Sequence, residues 1–489
     1  MSASHDSPLL RALDRYAAFT DLSALKEASL KPLRKSKRIN TLKTNADAFL
    51  SWAKERGWQL EPVPWCNEGY FIDREDREVA LGKDLLHLLG HTYMQEAASM
   101  LPVELLDPQP GETVLDMSAA PGSKTTQIAA KMQGKGVIIA NDVQEKRLWT
   151  LKAALHRCGA SNVIVTKKVG QWFARQMTER FDRVLCDAPC TAQGTVRKDS
   201  DALLYSSLEN VGKMARLQRE LLEAAVDAAK VGGTVVYSTC TLSPEENEAV
   251  VGSVLEKYRG RLEVVDPHER MHHAEWKMEQ AIENSLRVQQ AVAKEQNSPL
   301  SIINSPLIRL WPQTFDTEGF FVAALRKTAP TRAAEPLDAV RFQEERLPRS
   351  RQKQVGEHFA DKYGTTFLRE GDRLFERASQ VILSTEEVSE FRLPVQNYAL
   401  GIPFARRIEE NRFRIDHDTA TLRGGDATMN VLDADDALLA LLLDGKDGAC
   451  DPQFRGDVLL RYRDMIIGTS LAKEGKLFNR LPRWIVLKS

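Results

Sequence analysis

Between positions 113 and 240 the chain repeats one pattern, a short run rich in β-branched and apolar residues followed by a longer amphipathic stretch. "TVLDM" (113–117), "GVIIAN" (136–141), "NVIVT" (162–166), "FDRVLCDA" (181–188) and "GTVVYSTC" (233–240) are the short runs. Helical periodicity begins near Gly122 and again across 144–158. Apolar runs without in/out alternation predict strands buried on both faces, and strands alternating with helices predict a mostly parallel sheet covered on both sides. Ligands in such α/β folds sit at the carboxyl ends of the strands. A Rossmann-like core is therefore expected over about 101–327, with "GFFVAALRK" (319–327) as its final edge strand.

A chain of 489 residues has room for about three domains at ~100–200 residues each. Residues 1–100 mix short helices and strands and predict a small α+β N-terminal domain. "TAPTRAAEP" (328–336) has linker composition and opens a region 328–400 holding a linker and a first C-terminal domain, followed by a β-containing module over 401–489. The stretch 269–297 reads as one long polar helix.

Sixty-seven basic residues balance 68 acidic ones, a net charge of -1, so any nucleic-acid contact must come from local patches. The start lacks a basic segment followed by an apolar one. The longest wholly apolar run, "ALLALLL" (437–443), falls well short of the ~18 residues of a membrane span. A cytoplasmic monomer with no membrane association is the expectation. Six scattered cysteines show neither zinc-ribbon nor disulfide-framework spacing, and no metal is expected. Cys66, Cys158, Cys186 and Cys450 read as small buried hydrophobes.

The loop "DMSAAPGSKTTQIAA" begins at Asp116 and opens a helix. It is not a phosphate loop, because Ser123 precedes the lysine where that motif needs glycine, and Ser118 stands at its first glycine. A small-residue loop at a helix start still lets backbone N–H groups approach an anion closely, such as the carboxylate of S-adenosylmethionine. Asp142 ends the next strand, about twenty residues beyond Gly122, where an acid can accept the hydroxyls of a ribose.

Two cysteines also follow strand ends, Cys190 in "DAPC" and Cys240 in "YSTC". Carbon-5 of cytosine is too weak a nucleophile to attack a methyl sulfonium. A thiolate adding to C6 makes C5 an enamine carbon that accepts the methyl group, after which a base removes the C5 proton and the thiolate leaves. Asp187 is placed to hydrogen-bond the cytosine amino edge, and a second thiol can assist elimination. Methylation of an exocyclic amine would call for Asp-Pro-Pro-Tyr instead of "DAPC".

"AAPGSKT", "DAPC…G…RKD" and "YSTCTL…EENE", with "RINTLK" (38–43), "YMQEAASMLP" (93–102) and "EGFFVAALRK", resemble the motifs of RNA 5-methylcytosine methyltransferases related to the nucleolar Nop2 and Sun proteins. "WCNEGYFI" (65–72) and the ending "IGTSLAKEGKLFNRLPR" are similar to the bacterial F-type subgroup that modifies small-subunit (16S) ribosomal RNA. The resemblance implies Cys240 as nucleophile, Cys190 as the thiol assisting release, and Asp187 at the base. It implies S-adenosylmethionine as cofactor, held by Ser118, Ala119, Ala120, Pro121, Gly122, Ser123, Lys124, Asp142 and Asp187. It also implies a PUA-like RNA-binding fold for 401–489. The family's aspartate after the third strand is replaced by Val169, and residues 269–304 exceed the subgroup's pattern, with a solvated surface insertion as the plain interpretation.

RNA contacts are expected from the basic cluster "KPLRKSKRINTLK" (31–43), at Arg34, Lys35, Lys37 and Arg38 of an N-terminal RNA-binding domain. Lys476, Arg480 and Arg483, beside Lys473 and Trp484, are the expected C-terminal contacts. A transfer-RNA cytosine methyltransferase and a non-catalytic, RNA-binding ribosome assembly factor are the alternatives.

Overall fold

The computed structural model describes residues 8–76, 79–271, 275–296 and 306–486, which form four sheets. The first is antiparallel and N-terminal: β1 (Lys35–Ile39), β2 (Gln59–Pro62), β3 (Gly69–Asp73) and β4 (Thr92–Met94), in the order β2-β3-β1-β4.

The Val- and Ile-rich runs become β5 (Thr113–Asp116), β6 (Val137–Asn141), β7 (Val163–Thr166), β8 (Phe181–Asp187) and β9 (Ala229–Thr239), paired in parallel in the order β7-β6-β5-β8-β9. Every residue of β6 and β7 is buried, as strands covered on both faces must be. The chain steps outward from β5 through β6 to β7, then returns to the other side of β5 for β8 and β9. That reversal opens a crevice at the carboxyl ends of β5, β6 and β8, where open α/β sheets take their ligands.

The sheet extends past β9 through β10 (Leu262–Val264), β11 (Ile308–Leu310) and β12 (Phe320–Lys327). β12 lies antiparallel to β9, and both β10 and β11 pair with its far side. The strand expected at the edge is thus interior, and all of its residues except Arg326 are buried. An apolar edge of that length would invite pairing with another chain. Its covering strands, three residues each, are too short to leave a pattern.

The long polar stretch also differs from expectation. Its described part, the helix Glu275–Gln296, buries Met278, Ala281, Ile282, Ser285, Val288, Gln289 and Val292, a stripe at helical spacing, and packs against β11. It is a covering element of the sheet, not a solvated insertion. Residues 272–274 and 297–304 of the expected stretch lie outside the described residues.

The third sheet combines β13 (Glu345–Arg346), β14 (Asp372–Arg377), β15 (Gln380–Thr385), β17 (Ile402–Glu409) and β18 (Arg412–Ile415), while β16 (Ala399–Leu400) pairs instead with β7. The division expected at 400/401 therefore falls within a sheet, since β15 bonds to β17 across it. Gly401 makes the turn between β16 and β17 at φ +53°, and a Cβ there would sit 2.1 Å from the Leu383 carbonyl oxygen. The fourth sheet runs β19-β21-β22-β23-β20, from β19 (Val431–Ala434), β20 (Gly448–Ala449), β21 (Gly456–Tyr462), β22 (Met465–Lys473) and β23 (Lys476–Asn479). Among the described residues no helix is long and apolar enough to cross a membrane.

Candidate active site

β8 and β9 are neighbours, with Asp187 opposite Ser238, so the loops after them emerge side by side. This brings Cys190 Sγ to 3.3 Å from Cys240 Sγ, both half-buried. The pairing is held from behind by a carboxylate that lies 55 residues from its main partner. Glu246 accepts the Thr191 N–H at 3.0 Å and the Thr191 hydroxyl, and also Gln218 Nε2 at 2.8 Å. Gln218 donates again to the Pro189 carbonyl at 2.8 Å. The Gly194 N–H donates to the Cys240 carbonyl at 2.9 Å. A Cβ at Gly194 would fall 2.2 Å from the Gly319 carbonyl oxygen and 2.6 Å from that of Cys240, so only glycine lets the loops approach this closely. Under the second loop, Arg309 donates to the Leu242 carbonyl at 2.9 Å and pairs with Glu248 at 2.5 Å, both side chains fully buried.

The hydrogen bond to Cys240 and burial push the Cys190 thiol well above the usual cysteine range. Cys190 therefore keeps its proton at neutral pH. Beside it, Asp187 Oδ2 accepts Lys124 Nζ at 2.7 Å and Oδ1 accepts the Ser238 hydroxyl at 2.7 Å. Burial alone would lower the Lys124 pKa, but the Asp187 carboxylate, with Asp116 behind it, raises it above its ordinary value.

Asp187 also borders a cavity of about 290 Å³ at the crevice, with Ser118, Ala120, Asp142, Val169 and Leu221 among its walls. The small-residue loop is pinned there by its backbone. The Ala119 N–H donates to the Asn141 carbonyl at 2.7 Å, and the Arg147 guanidinium donates to the Ala120 carbonyl. The Asn141 side chain donates to the carbonyls of Met117 at 3.0 Å and Lys168 at 2.8 Å, tying three strand ends together. Of the loop residues, Ser118 and Ala120 line the cavity. Ala119 is buried behind it, Gly122 starts the helix Ser123–Lys131 at φ +109°, and Lys124 turns to Asp187.

The cavity walls hold an unmet demand. Asp142 Oδ1 accepts the Gln144 N–H at 2.9 Å, but Oδ2 is buried without a hydrogen-bond partner. Arg147 lies 3.3 Å from that oxygen, out of hydrogen-bonding line. A buried orphan acceptor is costly and fits a ligand bringing its own hydroxyl donors, as a ribose does. Asp116, at the end of β5, likewise has an orphan Oδ1 while Oδ2 accepts the Thr125 hydroxyl at 2.7 Å. Burial pushes Asp116 up to about 7.

Residues 103–326 match the family model for 16S rRNA methyltransferase RsmB/F, and residues 14–97 that for the N-terminal domain of 16S rRNA methyltransferase RsmF. The ribosomal RNA small subunit methyltransferase F of Vibrio vulnificus (strain YJ016) is 34% identical over 466 residues, 93% of this chain and 92% of its own. The chain belongs to the RsmF family of methyltransferases. The F enzyme of Aeromonas salmonicida (strain A449) is 35% identical over 463 residues, 93% of this chain and 91% of its own. Among solved structures, a methyltransferase homolog protein from Pyrococcus horikoshii shares 32% identity with a TM-score of 0.52, covering 66% of this chain and 99% of that one. The cofactor of RsmF-family methyltransferases is S-adenosylmethionine, and the orphan oxygen of Asp142 fits it.

Two of the four residues expected to form the N-terminal RNA surface are interior. Lys37 is 0% exposed and donates to Asp84 Oδ2 at 2.6 Å. Arg38 is 1% exposed, with Nε on Gln95 Oε1 at 2.9 Å and Nη2 on Thr126 Oγ1 at 2.9 Å. Both are removed from a phosphate-contacting surface because β1 lies in mid-sheet, between β3 and β4, and seats that sheet on the helix Ser123–Lys131. Arg34 lies over the Phe71 ring at 3.9 Å and pairs with Glu61 at 2.5 Å, and Lys35 is exposed. At the other end, Arg480 pairs with Asp457 and Lys476 with Asp447 at 3.0 Å, and Arg483 is exposed. Glu246, Gln218 and Asn141 were not foreseen as site residues. "EENE" and "AND" held the only signal, polar residues next to strand ends.

Proposed function

We propose that this chain transfers a methyl group to carbon-5 of a cytosine in 16S ribosomal RNA, through a covalent bond from Cys240 to C6. The observation that carries the proposal is the thiol pair, 3.3 Å apart beside Asp187 and the cofactor cavity. Core packing does not require two half-buried thiols in contact at two strand ends.

S-adenosylmethionine supplies an electrophilic methyl group. The protein's part is to make C5 reactive. The Cys240 thiolate forms a bond to C6, and the electron pair moves onto C5. Asp187, oriented by Lys124 and Ser238, has lone pairs left to accept the cytosine amino group. Once C5 carries the methyl group, its proton goes to a base and the C6–S bond breaks. Cys240 leaves as the thiolate it began as, and Cys190, still protonated beside it, can donate a hydrogen bond to the departing sulfur. The cytosine must leave its stack to reach this site, which is the use we assign to the flanking RNA-gripping parts, a PUA-like fourth sheet within 401–489 among them. The substrate assignment is supported by the names of the F-type relatives.

The test is a pair of variants assayed on unmethylated 16S rRNA in the cytoplasmic small subunit or its precursor. Cys240→Ala should transfer no methyl group and form no adduct. Cys190→Ala should still attack and then stall, so that a protein–RNA complex survives denaturing electrophoresis. An adduct with Cys240→Ala and none with Cys190→Ala would reverse the two roles. Bisulfite mapping of 16S rRNA and transfer RNA treated with wild type fixes the substrate, and a mark confined to transfer RNA would overturn the 16S assignment.

A further inference from the structure

Trp149 and Trp484 are 64% and 55% exposed, an uncommon placement for the largest apolar side chain. They lie 335 residues apart in the chain, yet both line one groove of about 480 Å³. Its first wall is the helix Glu145–Cys158, which presents Trp149, Lys152, Ala153 and Arg157. The N-terminal sheet supplies Tyr93 from β4, and the C-terminal region supplies Asp418 and Trp484. The rings are held in place. Lys152 Nζ is 5.7 Å from the Trp149 centroid, Arg157 is 5.2 Å from that of Tyr93, and His417 meets Trp484 edge-on at 6.0 Å. More than half of each indole is still left to solvent.

We infer that this groove binds an unpaired nucleotide of the substrate RNA, with its base against the indoles and its phosphate beside Lys152. The inference rests on the RNA-methylating function proposed above. Aromatic platforms with cations at their rim are what single-stranded RNA selects, because every base has a π-face and every nucleotide a charge. Of the titratable groups facing the groove, Asp418 opposes that charge, and only in part at neutral pH. Burial holds His87 and His156 down to about 3, so both are neutral. Asp418 opposite is pushed by burial up to about 7, and it is shared with the neighbouring Lys43. Arg147, two residues before Trp149, lines the cofactor cavity, so the groove lies on another face of the helix Glu145–Cys158 and takes a nucleotide other than the target base.

The experiment uses the full chain with two probes, a short single-stranded oligonucleotide matching the sequence around the target cytosine and the intact small-subunit particle. Trp149→Ala and Trp484→Ala should each weaken oligonucleotide binding by about ten-fold, the scale of one lost base stack. S-adenosylmethionine affinity and kcat at saturating RNA should not change. Trp149→Phe should recover most of the affinity, which separates stacking from a folding defect. Wild-type affinity and KM in both alanine variants, with methylation intact, would overturn the groove while leaving the methyltransferase function standing. Weaker binding of the particle alone, with the oligonucleotide unaffected, would also overturn it and assign the groove to a protein of the subunit. Wild type that binds the oligonucleotide and methylates no RNA would count against the proposed function, and the alanine variants would still decide the groove.

Discussion

Two buried lysine–aspartate pairs face different parts of this molecule, and their chemistry runs in opposite directions. Lys37–Asp84 closes at 2.6 Å with side chains 0% and 7% exposed, and Lys124–Asp187 closes at 2.7 Å with side chains 11% and 27% exposed. Asp84 spends its second oxygen on Trp52 Nε1 at 3.2 Å, inside the packing of the N-terminal sheet. Asp187 spends its own on Ser238 but still borders an open cavity. Burial lowers the Lys37 pKa in spite of Asp84, whereas Asp187 and Asp116 together outweigh burial and raise that of Lys124. A charged pair in a motif is therefore not evidence of a site. What marks the site is acceptor capacity left over at a cavity wall.

The largest effect that would break this comparison is on stability. Lys37→Met leaves buried Asp84 with only Arg56, 4.0 Å away, as a cation and should cost about 3 kcal/mol, the low end of the usual loss when one partner of a buried pair is removed. Lys124→Met leaves a more exposed carboxylate that Ser238 still contacts, so its stability loss should be much smaller. Its loss of methylation should instead be on the order of 10²-fold, as for removal of one preorganised polar group at a reacting centre. Urea denaturation and single-turnover methylation measure the two. Equal stability losses would erase the distinction.

The next effect is on cofactor affinity. Asp142 keeps one buried oxygen without a hydrogen bond, although Arg147 lies 3.3 Å away, and hydrogen bonds to a charged group contribute about 1.5–3 kcal/mol each. Asp142→Ala should therefore weaken S-adenosylmethionine binding by roughly ten- to a hundred-fold in calorimetry. An unchanged affinity would remove Asp142 from the site and, with it, the claim that orphan acceptors mark this cavity.

How much of this was legible beforehand follows from where each residue finds its partners. The strands β5 to β9 were legible because burial on both faces forces Val- and Ile-rich runs. The two thiols were legible because each ends such a strand. The packing role of Lys37 and Arg38 was not, because Asp84 and Gln95 lie 47 and 57 residues away, and "KSKRI" read locally is a basic strand. Glu246 was missed for the same reason, with Thr191 lying 55 residues upstream. β10, β11 and β16, at two or three residues each, exist only because β12 and β7 offer unpaired edges.

A smaller effect concerns pH. The Asp116 carboxyl is held at about 7 when folded, against an ordinary value of 3.8. The folded state therefore binds more protons than the unfolded state between these values. Stability falls as pH rises across that window and is level above it, by up to about 1.4 kcal/mol per pH unit. Asp116→Asn removes this dependence, while its side-chain oxygen can still accept the Thr125 hydroxyl. Measured at pH 5.5 and at pH 7.5, the variant should gain on wild type at the higher value. Glu96 and Asp418, also raised to about 7, are common to both proteins and cancel. Parallel curves would show that Asp116 is ionised in the folded protein after all.

The smallest predicted effect draws the sharpest line, because it lies within one strand. Lys35 and Lys37 are two residues apart in β1, one exposed and the other sealed against Asp84. If the exposed lysine meets a phosphate of an RNA duplex region, Lys35→Ala should flatten the log–log salt dependence of RNA binding by roughly 0.9. Lys37→Met, measured on the folded fraction, should leave that slope unchanged, since its charge is already spent inside the protein. Fluorescence anisotropy with the same RNA at four or more salt concentrations gives both slopes. A shift of equal size in the two variants would mean that Lys37 leaves Asp84 when RNA binds, and that the N-terminal sheet opens to meet its substrate. A shift in neither would take β1 out of the RNA interface, leaving it the structural role of seating that sheet on the helix Ser123–Lys131.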